Sequence, residues 1–231
     1  DLTIPVDNGT LLHFTLPTGT SMSGWDGNST LSNPSRLKFD GIDNWVEVDN
    51  ESSFDFNGGS SITLEAWINP SNIIEYHNLF GDTKEIIIAK GKSLNTKNYI
   101  FDVVGSSSGS GSGMGDLEFL YKGSSGAFHH YQTTSVPIMN NVWYHTAFTY
   151  TFGTGSTAML YLNGCPIAGT FTMGDGNSVP ELNDFGVKIG KEDNSAVSEE
   201  FDGSIPVVRI YNSALSNTNI QNNYLAEFSR Y

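Results

Sequence analysis

Residues 62–68 read Ile-Thr-Leu-Glu-Ala-Trp-Ile, with Ile62, Leu64, Ala66 and Ile68 on one side of an extended chain and Thr63, Glu65 and Trp67 on the other. A period of two places every second side chain on the same face, so this run predicts a strand with one core face. Similar short β-type runs recur at 11–16, 37–39, 45–48, 86–90, 99–104, 117–122, 142–151, 157–163, 187–190 and 205–212. Turn residues separate them, which predicts an all-β fold. The run 142–151 carries bulk on both faces, since Trp143 and Ala147 alternate with Val142, Tyr144, Phe148 and Tyr150. That pattern predicts a central strand whose second face lines a covered or concave surface.

Asn163-Gly164 follows Ala158, Leu160 and Leu162 and suits a tight hairpin turn that needs positive φ. One helix is expected, near the C-terminus, where Ser213 to Ser216 lead into Ile220, Tyr224 and Leu225. The stretch 105–115, GSSSGSGSGMG, has no apolar anchor and reads as a low-complexity loop.

The chain has 231 residues, long enough to bury about 70% of its unfolded surface without disulfide staples. No Pro-rich or charge-rich linker divides it, so a single domain over residues 1–231 is expected. Eleven Lys+Arg stand against 25 Asp+Glu, a net charge of −14. Such a surface repels phosphate backbones and anionic headgroups, which argues against nucleic acid and membrane surfaces as partners. It favours divalent cations as counterions. No run is long and apolar enough to span a bilayer. Cys165 is the only cysteine, so an intrachain disulfide is impossible, and a buried, unreactive thiol is the expectation. The chain opens at Asp1 without Met, as expected after signal removal, and sequons stand at Asn8, Asn28 and Asn50. An extracellular or cell- or virion-surface setting is therefore expected.

Seven segments, in order, resemble the LamG-like domains of the concanavalin-A-like lectin/glucanase superfamily. The first is Leu37 to Val48, with Phe39-Asp40-Gly41 and Trp45-Val46-Glu47-Val48. Ile62 to Ile68, Ile88-Ala89-Lys90-Gly91 and Trp143 to Tyr150 come next. Then follow Leu160-Tyr161-Leu162-Asn163-Gly164, Val187 to Gly190, and Phe201 to Asn212 with Ala214-Leu215-Ser216. The resemblance spans roughly residues 11–226 and implies a two-sheet antiparallel jelly-roll sandwich with one short C-terminal helix. It implies much less about function, because the fold carries both binding modules and enzymes.

Many relatives hold calcium between a "D-x-S-G" loop and the Asp of "G-x-I-D"; here Ser21 and Pro206 occupy those two acidic positions. Asp26, Asn28, Asp40 and Asp43 remain as candidate oxygen ligands for Ca²⁺. Glu47, Asp49 and Glu51 are spaced like the catalytic strand of laminarinase-type glycosidases, but Asn50 to Ser53 reads as a polar turn that takes Glu51 out of the strand. A retaining pair needs carboxylates about 5–5.5 Å apart, and charge clusters are usually solvated strand ends. No histidine pair has zinc-type spacing, and the Gly/Ser stretch lacks a phosphate-binding Lys-Ser/Thr end. Arg209, on a late strand, is expected to pair with an acidic residue or to cap carbonyls.

The leading expectation is a non-catalytic recognition domain for a glycan or surface polysaccharide. Sugar recognition needs planar aromatic faces beside amide and carboxylate partners, and the candidates are Tyr76, His77, Phe128, His130, Tyr131 and Tyr161, in loops or on a strand face away from the core. The rival expectation is a structural subunit of a filament, sheath or virion decoration that contacts copies of itself. It rests on the Gly/Ser stretch and on Asp1 to Val6 as a donor strand.

Overall fold

A computed structural model of the chain describes residues 10–14, 25–30, 33–48, 51–73, 84–92, 96–105, 113–134, 138–192 and 199–231. Among them the strands are β1 (Thr10–Phe14), β2 (Trp25–Thr30), β3 (Asn33–Asp40), β4 (Val46–Val48), β5 (Ser61–Pro70), β6 (Lys84–Lys92), β7 (Thr96–Gly105) and β8 (Met114–Lys122). They continue as β9 (Phe128–Thr133), β10 (Ile138–Met139), β11 (Tyr144–Thr151), β12 (Met159–Leu162), β13 (Cys165–Ile167), β14 (Gly169–Met173), β15 (Val187–Ile189) and β16 (Asp202–Tyr211). One α-helix, α1 (Asn217–Glu227), follows.

The strands form two antiparallel sheets, and the expected jelly-roll sandwich is the observed fold. The first runs β13-β12-β11-β5-β16-β3-β2, with β1 on the far half of β16. The second runs β14-β9-β8-β7-β6-β15-β4, with β10 on β8. Ile62, Leu64 and Ile68 of β5 face Tyr99, Phe101 and Phe119 of the second sheet in one apolar core. Burying these side chains contributes about 1.5–3 kcal/mol each.

The turn Asn163-Gly164 joins β12 to β13 at φ values of 50° and 75°. A Cβ on Gly164 would lie 2.9 Å from Tyr224 on α1, so both the turn and the helix require glycine there.

Three expectations change. The Thr63, Glu65 and Trp67 face of β5 is as buried as its core face, because α1 lies over it. That helix does present Ile220 and Tyr224 inward, with Tyr224 stacked on Trp67, but polar residues share the face and Leu225 turns away from it. Its buried positions are Ile220, Asn223 and Glu227, and Leu225 is 52% exposed. The sheet beneath offers Glu65, His145 and Arg209, which polar side chains satisfy and leucine cannot. Cys165 is exposed on the edge strand β13, since its partner strand ends there and nothing covers it among the described residues. The segments 1–9 and 106–112, on which the assembly reading rested, lie outside the described residues.

Candidate functional site

Among the described residues the candidate ligand residues do not form one site. Tyr76 and His77 lie outside the described residues. Phe128 to Tyr131 form strand β9 rather than a loop, paired to both β8 and β14. Alternation along β9 turns Tyr131 toward the core, against Phe171 at a ring separation of 4.9 Å. Phe128 and His130 share the outer face, half-buried, with ring centroids 6.3 Å apart. Tyr161 does point away from the main core, but it is buried with Ala147, Tyr211, Leu215 and Ile220, and its hydroxyl donates to Asn217 Oδ1 at 2.7 Å. A sugar ring cannot reach it. Helix α1 decides this, and no local pattern around Tyr161 announces it.

The candidate calcium ligands are also dispersed. Asp26 accepts a hydrogen bond from Arg36 Nη2 at 2.8 Å. Arg36 and Asp40 are four residues apart on β3, so Asp26 lies about 13 Å from Asp40 along the strand. Asp40 Oδ1 accepts the amides of Ile42 and Asp43 at 3.1 and 3.2 Å, which is turn chemistry. Asp43 Oδ1 accepts from Asn44 Nδ2 at 3.1 Å, and the side chain of Asn28 lies outside the described residues. Among the described residues no three His, Cys, Asp or Glu side chains gather around a metal position. The four positions therefore do not fit one calcium ion.

The carboxylates that do meet are locked in ion networks. Beneath α1, Arg209 Nη1 donates to Glu65 Oε1 at 2.7 Å and Nη2 to Glu227 Oε1 at 2.6 Å. His145 Nε2 lies 2.9 Å from Glu65 Oε1, Asn223 Nδ2 donates to Glu65 Oε2 at 2.9 Å, and Trp67 Nε1 donates to Glu227 Oε2 at 2.9 Å. Burial alone raises the Glu65 carboxyl, but Arg209 and His145 more than offset it and hold it below the ordinary carboxylate range.

On the outer face of the second sheet, Lys84 Nζ donates to Glu118 Oε1 at 2.6 Å and to Asp102 Oδ2 at 3.1 Å. Burial pushes Glu118 up, while Lys84 and His130 pull it down to about 2. Asp102 and Glu118 are both buried against Lys84, so neither faces solvent. Glu47 lies on β4 and Glu51 in a 3₁₀ turn (Glu51–Phe54), so strand alternation does not set them on one face.

Glu85 is a buried carboxyl outside these networks. It lies on the core side of β6 at the sandwich edge, 6% exposed, and its Oε2 accepts the amide of Asp202 across the interface at 2.6 Å. Burial and the nearby Asp202 carboxylate raise it to about 8, against the lowering effect of that amide.

An accessible site forms at the same edge. Asp40 ends β3, the turn Gly41 to Asn44 crosses between the sheets, and Val46 and Val48 of β4 pack on the core. Alternation then sends Trp45 and Glu47 outward, and Trp45 is 44% exposed. An open groove of about 380 Å³ runs beside it, lined by Leu37, Lys38, Phe39, Asp43, Asn44 and Val46. Lys191 Nζ and Lys188 Nζ stand 4.6 and 5.5 Å from the Trp45 ring centroid, within cation–π range. A larger groove, about 600 Å³, is lined by Ser53, Asp55, Gly59, Ser61, Asn212 and Ser213, but its one aromatic, Phe56, is buried. Of these two grooves among the described residues, the Trp45 groove joins an exposed aromatic face to amide, carboxylate and ammonium groups. Its signal in the sequence was the Trp-Val-Glu-Val alternation after a polar turn. Lys188 and Lys191 arrive through the pairing of β15 with β4, which no local pattern announces.

Two packed antiparallel sheets with a helix closing one outer face define an all-β jelly-roll domain. The chain belongs to the concanavalin A-like lectin/glucanases superfamily, through the Laminin_G_3 family matched over residues 40–221. Three solved structures share the fold at low identity. The binding domain of Paraclostridial Mosquitocidal Protein 1 aligns with TM-score 0.66 and 15% identity, covering 96% of this chain and 53% of that one. The receptor binding domain of botulinum neurotoxin D gives 0.58 and 14%, covering 95% and 53%. Domain 4 of AbnA, a GH43 extracellular arabinanase from Geobacillus stearothermophilus, in complex with arabinotriose, gives 0.53 and 14%, covering 92% and 87%. The chain spans about half the length of the first two. Comparison with curated proteins gave no match.

Proposed function

We propose that this chain is a non-catalytic carbohydrate-recognition domain that works at a cell or particle surface and takes its ligand at the Trp45 groove. The observation that carries the reading is Trp45 itself, a large ring left 44% exposed at a sheet edge beside Asn44 and Asp43. Such a ring offers an apolar face to the C–H side of a sugar, while neighbouring amides and carboxylates meet its hydroxyls. The neighbours in fold lend support, because two of the three are binding domains and the third is in complex with arabinotriose. The separation of Glu47 from Glu51 and the ion-locked state of Asp102 and Glu118 favour binding over hydrolysis.

The test is a glycan array followed by calorimetry on the strongest hit. Trp45→Ala is expected to weaken binding at least tenfold with an unchanged melting temperature. Undiminished binding by this variant, or the absence of any hit, overturns the reading.

A further inference from the structure

The turn after β14, Gly174 to Ser178, is fastened across one end of the sandwich. Tyr150 of β11, in the first sheet, donates its hydroxyl to Gly176 O, and Asn177 Oδ1 accepts the amide of Gly155 at 3.0 Å. From β8 in the second sheet, the Tyr121 hydroxyl donates to Ser178 O at 2.8 Å. Two further bonds share one atom: His129 Nδ1, on β9, accepts the amides of Asp175 and Gly176 at 3.1 and 3.0 Å. The approach is so close that a Cβ on Gly174 would collide with the same nitrogen. Among the described residues β14 is the outermost strand of its sheet and pairs only with β9, so this turn ties its C-terminal end to the first sheet.

A ring nitrogen that accepts two N–H groups carries no proton, so His129 is the neutral tautomer with its hydrogen on Nε2. The ring is 3% exposed and stacks on Tyr121 at a centroid separation of 4.7 Å. Its Nε2 is buried without a hydrogen-bond partner among the described residues. A second proton would charge a ring that has no acceptor at Nε2, and would set an N–H at Nδ1 against two others.

We infer that His129 is an acid-operated latch: protonation at Nδ1 expels the amides of Asp175 and Gly176 and frees the Gly174–Ser178 turn from β9 while the two sheets stay packed. The titratable groups facing the ring are Asp175 of the turn, His130 of β9, Tyr121 of β8 and, through Tyr121, Tyr150 of β11. Burial lowers the His129 value most, Asp175 raises it and His130 lowers it, with a net fall below 6.5. The Asp175 carboxylate stands 3.7 Å from Nδ1 but its side chain is 68% exposed, so water screens its pull on the proton. Both tyrosines are raised by burial and stay neutral across the acidic range. The closed turn needs the neutral ring, and opening returns the ring toward its ordinary 6.5. The closed form is therefore fully favoured above about pH 6.5 and loses ground as pH falls toward the lower closed-state value.

The experiment is NMR of the full chain between about pH 7.5 and pH 4.5. Imidazole nitrogen spectra report the tautomer and titration of His129, and hydrogen exchange, corrected for its intrinsic pH dependence, reports the amides of Asp175 and Gly176. A neutral Nε2–H ring is expected at the upper end. Protection of the two amides should fall about tenfold per pH unit between about pH 6.5 and the ring's own midpoint, while the amides of β5 and β11 keep theirs. His129→Gln offers a carbonyl that does not titrate and should keep protection flat over the same range. His129→Phe keeps the stack, removes the acceptor and should leave both amides unprotected already at about pH 7.5.

A ring that titrates while both amides stay protected overturns the latch. So does a ring that remains neutral down to the pH at which the whole domain unfolds. Both results are read on the parent protein and decide the matter even where neither variant folds. The same acid-dependent loss of protection in His129→Gln assigns the release to another group and also overturns it.

Discussion

The outer face of the first sheet and the β4–β15 edge of the second treat charge in opposite ways. Under α1, Glu65, Arg209, Glu227 and His145 are sealed from water, with Trp67 and Asn223 supplying further hydrogen bonds. At the edge, Lys188 and Lys191 hold their ammonium groups over a ring that solvent can reach. Desolvated charges exist only where every partner is fixed, so the covered network specifies where the helix docks. Charges left at the surface contribute little to stability. The same side-chain chemistry is thus sealed under a helix in one place and left at the solvent boundary in the other.

The largest expected effect comes from breaking the covered side. Glu65→Ala leaves Arg209 with one carboxylate and strips His145 and Asn223 of their acceptor, which should cost about 3–5 kcal/mol in urea unfolding. Binding at Trp45 should persist wherever the variant remains folded. A loss below about 1 kcal/mol would mean that the network does not hold the helix.

A second test sharpens the contrast within the buried carboxyls. Glu85 has a folded-state value of about 8 against 4.5 for an ordinary carboxyl. Its contribution to stability is fully present below about pH 4.5 and is lost as pH rises toward about 8. Glu118, held near 2, behaves oppositely: its contribution is present above about pH 4.5 and is lost as pH falls toward 2. Glu85→Gln should therefore be the more stable form at pH 7, by up to about 3 kcal/mol, and match the parent near pH 4. Parallel stability–pH curves for the two proteins would refute the assignment.

The smallest expected effect is at the start of α1. The Ser216 hydroxyl accepts the amide of Asn219 at 3.2 Å as the helix N-cap. Ser216→Ala should cost about 1 kcal/mol, a melting shift of about 2–4 °C by calorimetry. A larger fall would place more of the docking energy in the cap than in the Glu65 network.

Most central strands were legible because an apolar face repeats every two residues, as in Ile62 to Ile68 and Tyr99 to Val104. The strands Trp25–Thr30, Phe128–Thr133, Cys165–Ile167 and Gly169–Met173 were not, because they are polar or short and take their conformation from pairing with a neighbour. The Asn163-Gly164 turn was legible since backbone sterics leave few residues able to adopt it. The inward face of α1 was legible at Ile220 and Tyr224 but not at Asn223 and Glu227, which make sense only opposite Glu65 and Arg209. Of the candidate ligand residues, Phe128 and His130 do reach an outer face, whereas Tyr161 is covered by an element 56 residues later in the chain.

By itself the sequence determined the all-β class, the family resemblance and the acidic balance of charge, since periodicity, turn sterics and net charge are local or summed properties. Only the tertiary structure decided that Tyr161 is sealed, that Asp26 and Asp40 lie apart, and that two lysines from β15 and beyond it meet Trp45. Those outcomes depend on which strands pair and what the helix covers, and side chains more than 140 residues apart carry no mark of their meeting.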